Sequence, residues 1–424
     1  MAHHSTSNIS DGFQHFHEFK GHHHPVRHFG LMDSVDERRG SKRLYISGDC
    51  KHIALWDLSG QKHQLKFPKS QVNFISAIVY IPQLKILFAA ALDMCFKIYD
   101  RNFRLIESIR HSERSILSIE YVASKGLLLI SGANGVSCWR VFKHVHIKTE
   151  KVDFVVEKLF LFPVVDPLDC WISHMIYDES ADKIFALKET SVMVFSLLER
   201  TLEVNLENVH DAPVTRACFY VRAQYYLTGC SRGLVKVWAS HKASAAAMAA
   251  AAAQGVDSGH SSLMLNENLE LLHTFRLFSK AVTGLVNHPI PGLCITAGLD
   301  GYIKVLNLEQ LTELFSMSTE YGITSLSSYK LLPPPVFVTK DAGETPPPPP
   351  KPQHAVMFAM TEGTIEMWKI TAYCDFFGIG NAVVENMHEF GNLHLGLDTQ
   401  RYQDALQLEQ EARELMLQIG RAHV

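Results

Sequence analysis

Val235-Lys236-Val237-Trp238 is one of seven copies of a single pattern: an apolar residue, any residue, an apolar residue, then an aromatic or Leu. The others are Ile53-Ala54-Leu55-Trp56, Phe96-Lys97-Ile98-Tyr99, Val136-Ser137-Cys138-Trp139, Val192-Met193-Val194-Phe195, Ile303-Lys304-Val305-Leu306 and Ile365-Glu366-Met367-Trp368. Period-two alternation places the first, third and fourth side chains where a mostly buried strand needs them. Successive copies lie 43, 40, 56, 43, 68 and 62 residues apart. One four-stranded repeat unit of this kind takes roughly 40–45 residues.

The three long intervals each hold a segment that reads as inserted. Residues 152–169 read as an irregular loop with Pro163 and Pro167, residues 241–262 carry the Ala tract from Ala245 to Ala253, and residues 331–354 hold the run Pro346–Pro350. Without them the units are nearly equal. Each unit reads as four strands; in the fifth these are Val214–Val221, Tyr225–Gly229, Leu234–Ala239 and Leu269–Phe275. A single such sheet cannot cover both its faces, whereas seven around an axis bury them against each other. The expected fold is therefore all-β: a seven-bladed β-propeller of four-stranded antiparallel blades over residues 13–370. Residues 1–12 are expected to be disordered, and 371–424 form a C-terminal extension with a short helix at about 402–419. There Ala405, Leu408, Ala412, Leu415 and Ile419 recur at spacings of three and four. A helix packed on the propeller and the start of a coiled coil, with a coiled-coil partner, are equally consistent with so few heptads.

The repeat resembles the WD-repeat β-propeller family, whose units begin near Gly-His and end in Trp-Asp. Trp56-Asp57 is the literal pair and Tyr99-Asp100 the nearest variant. Gly21-His22 before Val26, His111 before Ile116 and His210 before Val214 match the unit start. The resemblance implies a hydrogen-bonded His, Ser/Thr, turn Asp and Trp within a blade. His22, Ser47, Asp49 and Trp56 come nearest, with Asp49 one residue too far from Trp56. Asp93 and Asp300 keep the turn acid without the His, and Arg232 takes the acid's place between His210 and Trp238. It also implies that Phe13–Phe19 completes the last blade beside the strand ending Trp368-Lys369-Ile370.

Apolar residues make up 47% and charged residues 20% of the 424, with a formal charge of −4, so neither disorder nor broad attraction to nucleic acid is expected. Eight scattered Cys without a Cys-x-x-Cys pair read as reduced thiols of an intracellular, cytoplasmic protein. No secretory signal is expected, and the longest apolar stretch, Phe154–Val165, is broken by Glu157, Lys158 and Pro163, so no membrane insertion is expected.

Motifs for chemistry fall short. Asp375-Phe376-Phe377-Gly378 has one Phe too many for a kinase metal-binding tripeptide, and Gly378-Ile379-Gly380 lacks the third Gly of a dinucleotide loop. His17-Glu18 before His22 misses zinc-protease spacing by one residue, although His15 and His17 share one side of a strand. No catalytic, cofactor-binding or metal-ligating residue is therefore expected. The resemblance implies that the loops before the first strand and between the second and third strands meet on one face. Those loops supply His23, Arg114, Asp211, Arg232, Lys280, Asp300 and Glu362 as candidate protein-binding residues. Their mixed charge suits a protein or peptide in a multiprotein assembly. Two classes stay open: a non-catalytic scaffold, including a ubiquitin-ligase substrate adaptor or a ciliary or flagellar assembly component, and a propeller enzyme with reacting groups lining its channel.

Overall fold

The computed structural model describes residues 9–10, 13–32, 44–48, 53–56, 62–65, 75–91, 94–100, 104–110, 115–145, 152–164, 170–179, 182–220, 223, 225–240, 264–266, 269–289, 292–331 and 353–370. It divides into two compact units, one spanning His15–Lys369 and one formed of Met1–Gln14 with Ile370–Val424. In the second unit, Ile9–Ser10 pairs with Phe13 and Gln14, so the expected disorder of 1–12 does not hold at those two residues. The helix and coiled-coil reading at 402–419 lies outside the described residues, as does the insertion 241–262.

The larger unit is a β-propeller of antiparallel blades. Six blades use strands consecutive in the chain. The first comprises His28–Met32, Leu44–Gly48, Ile53–Trp56 and Lys62–Leu65, and the second Ile75–Ile81, Ile86–Ala91, Cys95–Tyr99 and Leu105–Arg110. The third is Ile116–Val122, Leu127–Gly132, Gly135–Val145 and Val152–Leu161, and the fourth His174–Asp178, Lys183–Lys188, Ser191–Ser196 and Thr201–Leu206. Val214–Tyr220, Tyr225–Cys230, Leu234–Ser240 and Leu269–Arg276 make the fifth, with Met264–Asn266 added outside the last. The sixth is Val282–Asn287, Leu293–Gly298, Tyr302–Asn307 and Thr312–Ser318. A composite sheet of Ile323–Leu331, Gln353–Met360 and Ile365–Ile370 takes the N-terminal strand Phe13–Phe19 at its edge, where the resemblance had placed it. First strands touch in succession from blade to blade, and that of the composite sheet touches that of the first blade, so the ring closes.

Every copy of the four-residue pattern is the third strand of its sheet, and the packing explains its composition. Val235 and Val237 pack with the sixth blade, while Trp238 turns back into the cluster shared with the fourth. Ile53 and Leu55 face the second blade while Trp56 faces the composite sheet. Val136 and Cys138 face the fourth while Trp139 faces the second. One strand thus seals two seams, with side chains of alternate parity. Full burial of one such side chain is worth about 1.5–3 kcal/mol.

Threonines at the start of the innermost strands add polar ties. Thr215 Oγ1 donates to Val282 O of the next blade at 2.6 Å, and Thr324 Oγ1 donates to Val26 O across the closing seam. The six described cysteines are all free; four are buried.

Two of the inserted segments need correction. Val152–Leu161 is not an irregular loop but a ten-residue strand paired along Gly135–Val145. Its Phe154 and Val156 turn inward while Val155 and Glu157 face out, so the charged residues that break the apolar run sit on the solvent side or beside a bulge at Cys138/Trp139. At 331–354, Leu331 pairs with Gln353 and Lys330 with His354, so the ends of that segment belong to the ladder.

The seams predict a sharp contrast in mutational cost. Ile98, fully buried between the second and third blades, should cost about 2–5 kcal/mol when changed to Ala. Glu107→Ala on the exposed outer strand of the same blade should change stability by less than about 0.5 kcal/mol. Urea unfolding of the two variants checks both.

Candidate functional site

Among the described residues, turns that precede a first strand pack against turns that join a second and a third strand at one end of the propeller. Gly233, at φ +78°, is the turn residue after Arg232, and a Cβ there would lie 2.7 Å from Lys280 O. Gly363, at φ +96°, follows Glu362, and its Cβ would lie 2.6 Å from His22 O and 3.0 Å from His24 O. Only glycine accepts both the left-handed backbone and the contact. These approaches bring the Arg232 turn onto the Lys280 loop and the Glu362 turn onto the His23 loop. His23, Asp211, Arg232, Lys280 and Glu362 are exposed. Asp300 is half-buried and occupied: its Oδ2 accepts from Ser279 N at 2.6 Å and from Ser279 Oγ at 3.0 Å, tying one turn to the next. Arg114 lies outside the described residues.

Sequence reasoning missed the aromatic residues of this end. Trp171, Tyr302 and Tyr321 are 49%, 44% and 38% exposed. Trp171 precedes the fourth blade, where Gly135 N donates to Cys170 O at 3.0 Å and so holds the Trp171 loop against a turn of the third blade. Tyr302 follows the turn glycine Gly301, and Tyr321 lies two residues before the composite sheet. The Glu320 carboxylate, then that of Glu362, raises the Tyr321 hydroxyl above its ordinary pKa. The signal was legible at Tyr302, whose place in the alternation is opposite to that of Ile303. No local rule marks Trp171.

Beneath this end lie the polar cores of the blades. His210 Nε2 sits 2.8 Å from the Thr228 hydroxyl, which also accepts from Trp238 Nε1 at 2.9 Å. Three members of the expected network are therefore assembled in the fifth blade. His210 Nδ1 is buried with no hydrogen-bond partner, and burial lowers the pKa of this His to about 4. In the first blade His22 packs 6.0 Å from the Trp56 ring; Asp49 and Asp93 lie outside the described residues. Elsewhere the Trp finds other acceptors: Trp139 Nε1 donates to Ser137 Oγ at 3.0 Å and Trp368 Nε1 to Glu366 Oε2 at 2.8 Å.

His15 and His17 point inward. In Phe13–Phe19 the odd residues face the core, so His15 meets the Trp368 ring edge at 5.2 Å and His17 meets Phe19 at 4.5 Å. Phe16 faces out beneath Lys369, 4.1 Å from its ring centroid. The irregular spacing of Phe13, Phe16 and Phe19 thus conceals strict alternation. Among the described residues no three His, Cys, Asp or Glu side chains gather as a metal site, and no helix is long and apolar enough to cross a membrane.

On the innermost strands, Glu120 accepts from Tyr177 N at 3.3 Å through Oε1, while its buried Oε2 has no partner. Burial pushes its pKa up to about 7. No protein-family model matches the chain, and no curated protein sequence matches it.

Two outcomes follow for these buried groups. Arg232 occupies the register of Asp300, so Arg232→Asn should offer His210 Nδ1 an acceptor and raise stability by roughly 0.5–1.5 kcal/mol. For Glu120, the folded state holds its proton more tightly than the unfolded chain. Its contribution is therefore intact below pH 4.5 and is lost as pH rises to about 7. Glu120→Gln should exceed the parent by roughly 1–3 kcal/mol at pH 8 and by much less at pH 4.5. Urea unfolding at the two pH values measures the difference.

Proposed function

We propose that this chain is a seven-bladed, WD-type scaffold without catalytic activity, which docks a protein or peptide on its loop-bearing end. The observation that carries this reading is the exposure of Trp171, Tyr302 and Tyr321 at the end that also presents Arg232, Lys280, His23 and Glu362. Trp, Tyr and Arg are the residues on which interface energy concentrates, because each buries a large, stiff surface and keeps a polar handle. A rigid ring holds them at fixed separations, so binding orders few side chains and loses little entropy. The charge is divided. Glu320 and Glu362 act on Tyr321 and Asp300 lies two residues before Tyr302, whereas Arg232 stands on the fifth blade's turn against the Lys280 loop. A segment carrying Lys or Arg beside an apolar anchor suits the tyrosine sector. The intracellular, multiprotein setting rests on the free thiols and on this surface, and an axonemal or ciliary assembly is one such setting.

Affinity recovery from cell extract, read by mass spectrometry, tests the reading. The double variant Trp171→Ala/Tyr321→Ala should lose the partners that the parent recovers, with interface losses of about 2 kcal/mol or more per anchor. Leu198→Ser, at a turn joining third and fourth strands and 78% exposed, should retain them. Loss with Leu198→Ser and retention with the double variant would place docking at the opposite end.

A further inference from the structure

One register position recurs on the innermost strands around the ring. Arg216 pairs with Gly229, which pairs with Val235, the opening residue of the four-residue pattern; His28 reaches Ile53 through Gly48, and His174 reaches Val192 through Leu187. Ala77, Ser118, Gly284 and Ser325 hold the corresponding places, each next to a bulge or step in register like that at Arg216. Three positions are basic, four are small and none is acidic.

The three basic groups converge. Arg216, His28 and His174 stand at one level of the innermost strands of the fifth, first and fourth blades, and burial first, then the Arg216 guanidinium, lowers the pKa of His28 to about 4 and that of His174 to about 3. First strands line a closed ring, so residues at one level of them face a common axis. All three are half-buried, so water reaches them. Arg216 Nε donates to Thr283 O at 3.0 Å and a terminal N–H donates to Thr215 O at 2.7 Å. A guanidinium carries five N–H donors, and among the described residues no carboxylate pairs with this one. Arg27, adjacent to His28, adds a further positive charge. A guanidinium in a partly dry channel, with a second one nearby and no carboxylate beside it, is unfavourable unless an anion offsets its charge.

We propose that the axial channel binds a phosphate-class oxyanion, gripped by Arg216 and flanked by His28 and His174, with the small residues at the same level leaving it room. A planar guanidinium fork matches phosphate oxygens in pairs, and half-buried imidazoles add directed N–H donors. The site is separate from the loop end and stands whether or not a protein docks there.

The test titrates inorganic pyrophosphate into the full-length protein at constant ionic strength, by calorimetry and by NMR of the histidine side chains. Saturable binding should shift the His28 and His174 imidazole signals and leave His210 in place. Arg216→Gln should weaken binding at least about tenfold, the scale of one charge-assisted contact. Should that variant fail to fold, Ser325→Asp places a carboxylate at the same level and should abolish binding while the protein still melts cooperatively. Absence of saturable binding to the parent, parent-like affinity in either variant, or equal shifts with chloride would overturn the proposal.

Discussion

The seam between adjacent blades is the interaction on which the rest depends. A four-stranded sheet buries two faces, and in this ring each face is covered by a neighbour rather than by a helix or a second layer. The third strand supplies both covers, because alternate residues leave it in opposite directions. That is why its pattern demands apolar residues at the first and third positions and a large apolar side chain, usually a ring, at the fourth. Val235 and Val237 close one seam while Trp238 closes the other.

Closure gives the seams their cooperativity and the protein its surfaces. Phe13–Phe19 covers the edge that the composite sheet would otherwise expose, removing a template for intermolecular pairing. Because the ring is stiff, the loops at its end are held by neighbours rather than by their own contacts. The Gly233 and Gly363 turns lie against the backbone of the following loops, and the Asp300 carboxylate ties two turns together. The exposed residues of this end sit on turns that have little freedom to rearrange.

Divergence in the polar network follows from the same constraint. Where apolar seams carry the blade, the His–Thr–Trp relay can lose its acid, as at Arg232, and a Trp can find Ser137 or Glu366 instead. Half-satisfied networks are costly, and the buried His210 Nδ1 is where that cost remains. The strand at Val152–Leu161 shows the complementary lesson. Its Glu157 and Lys158 looked like interruptions, yet a strand with one wet face carries charges without losing its pairing.

Strand order, the seam-sealing residues and the edge strand were legible in the sequence, because period-two alternation and the spacing of repeats are local properties of the chain. His15 and His17 could be placed on one side of a strand by the same rule. Which turns touch, that Trp171 joins Tyr302 and Tyr321 at one end, and that Arg216, His28 and His174 share one level of the innermost strands were decided only by the closed ring. Those neighbours are far apart along the chain. Their encounter depends on the register of every intervening blade, which no local pattern records.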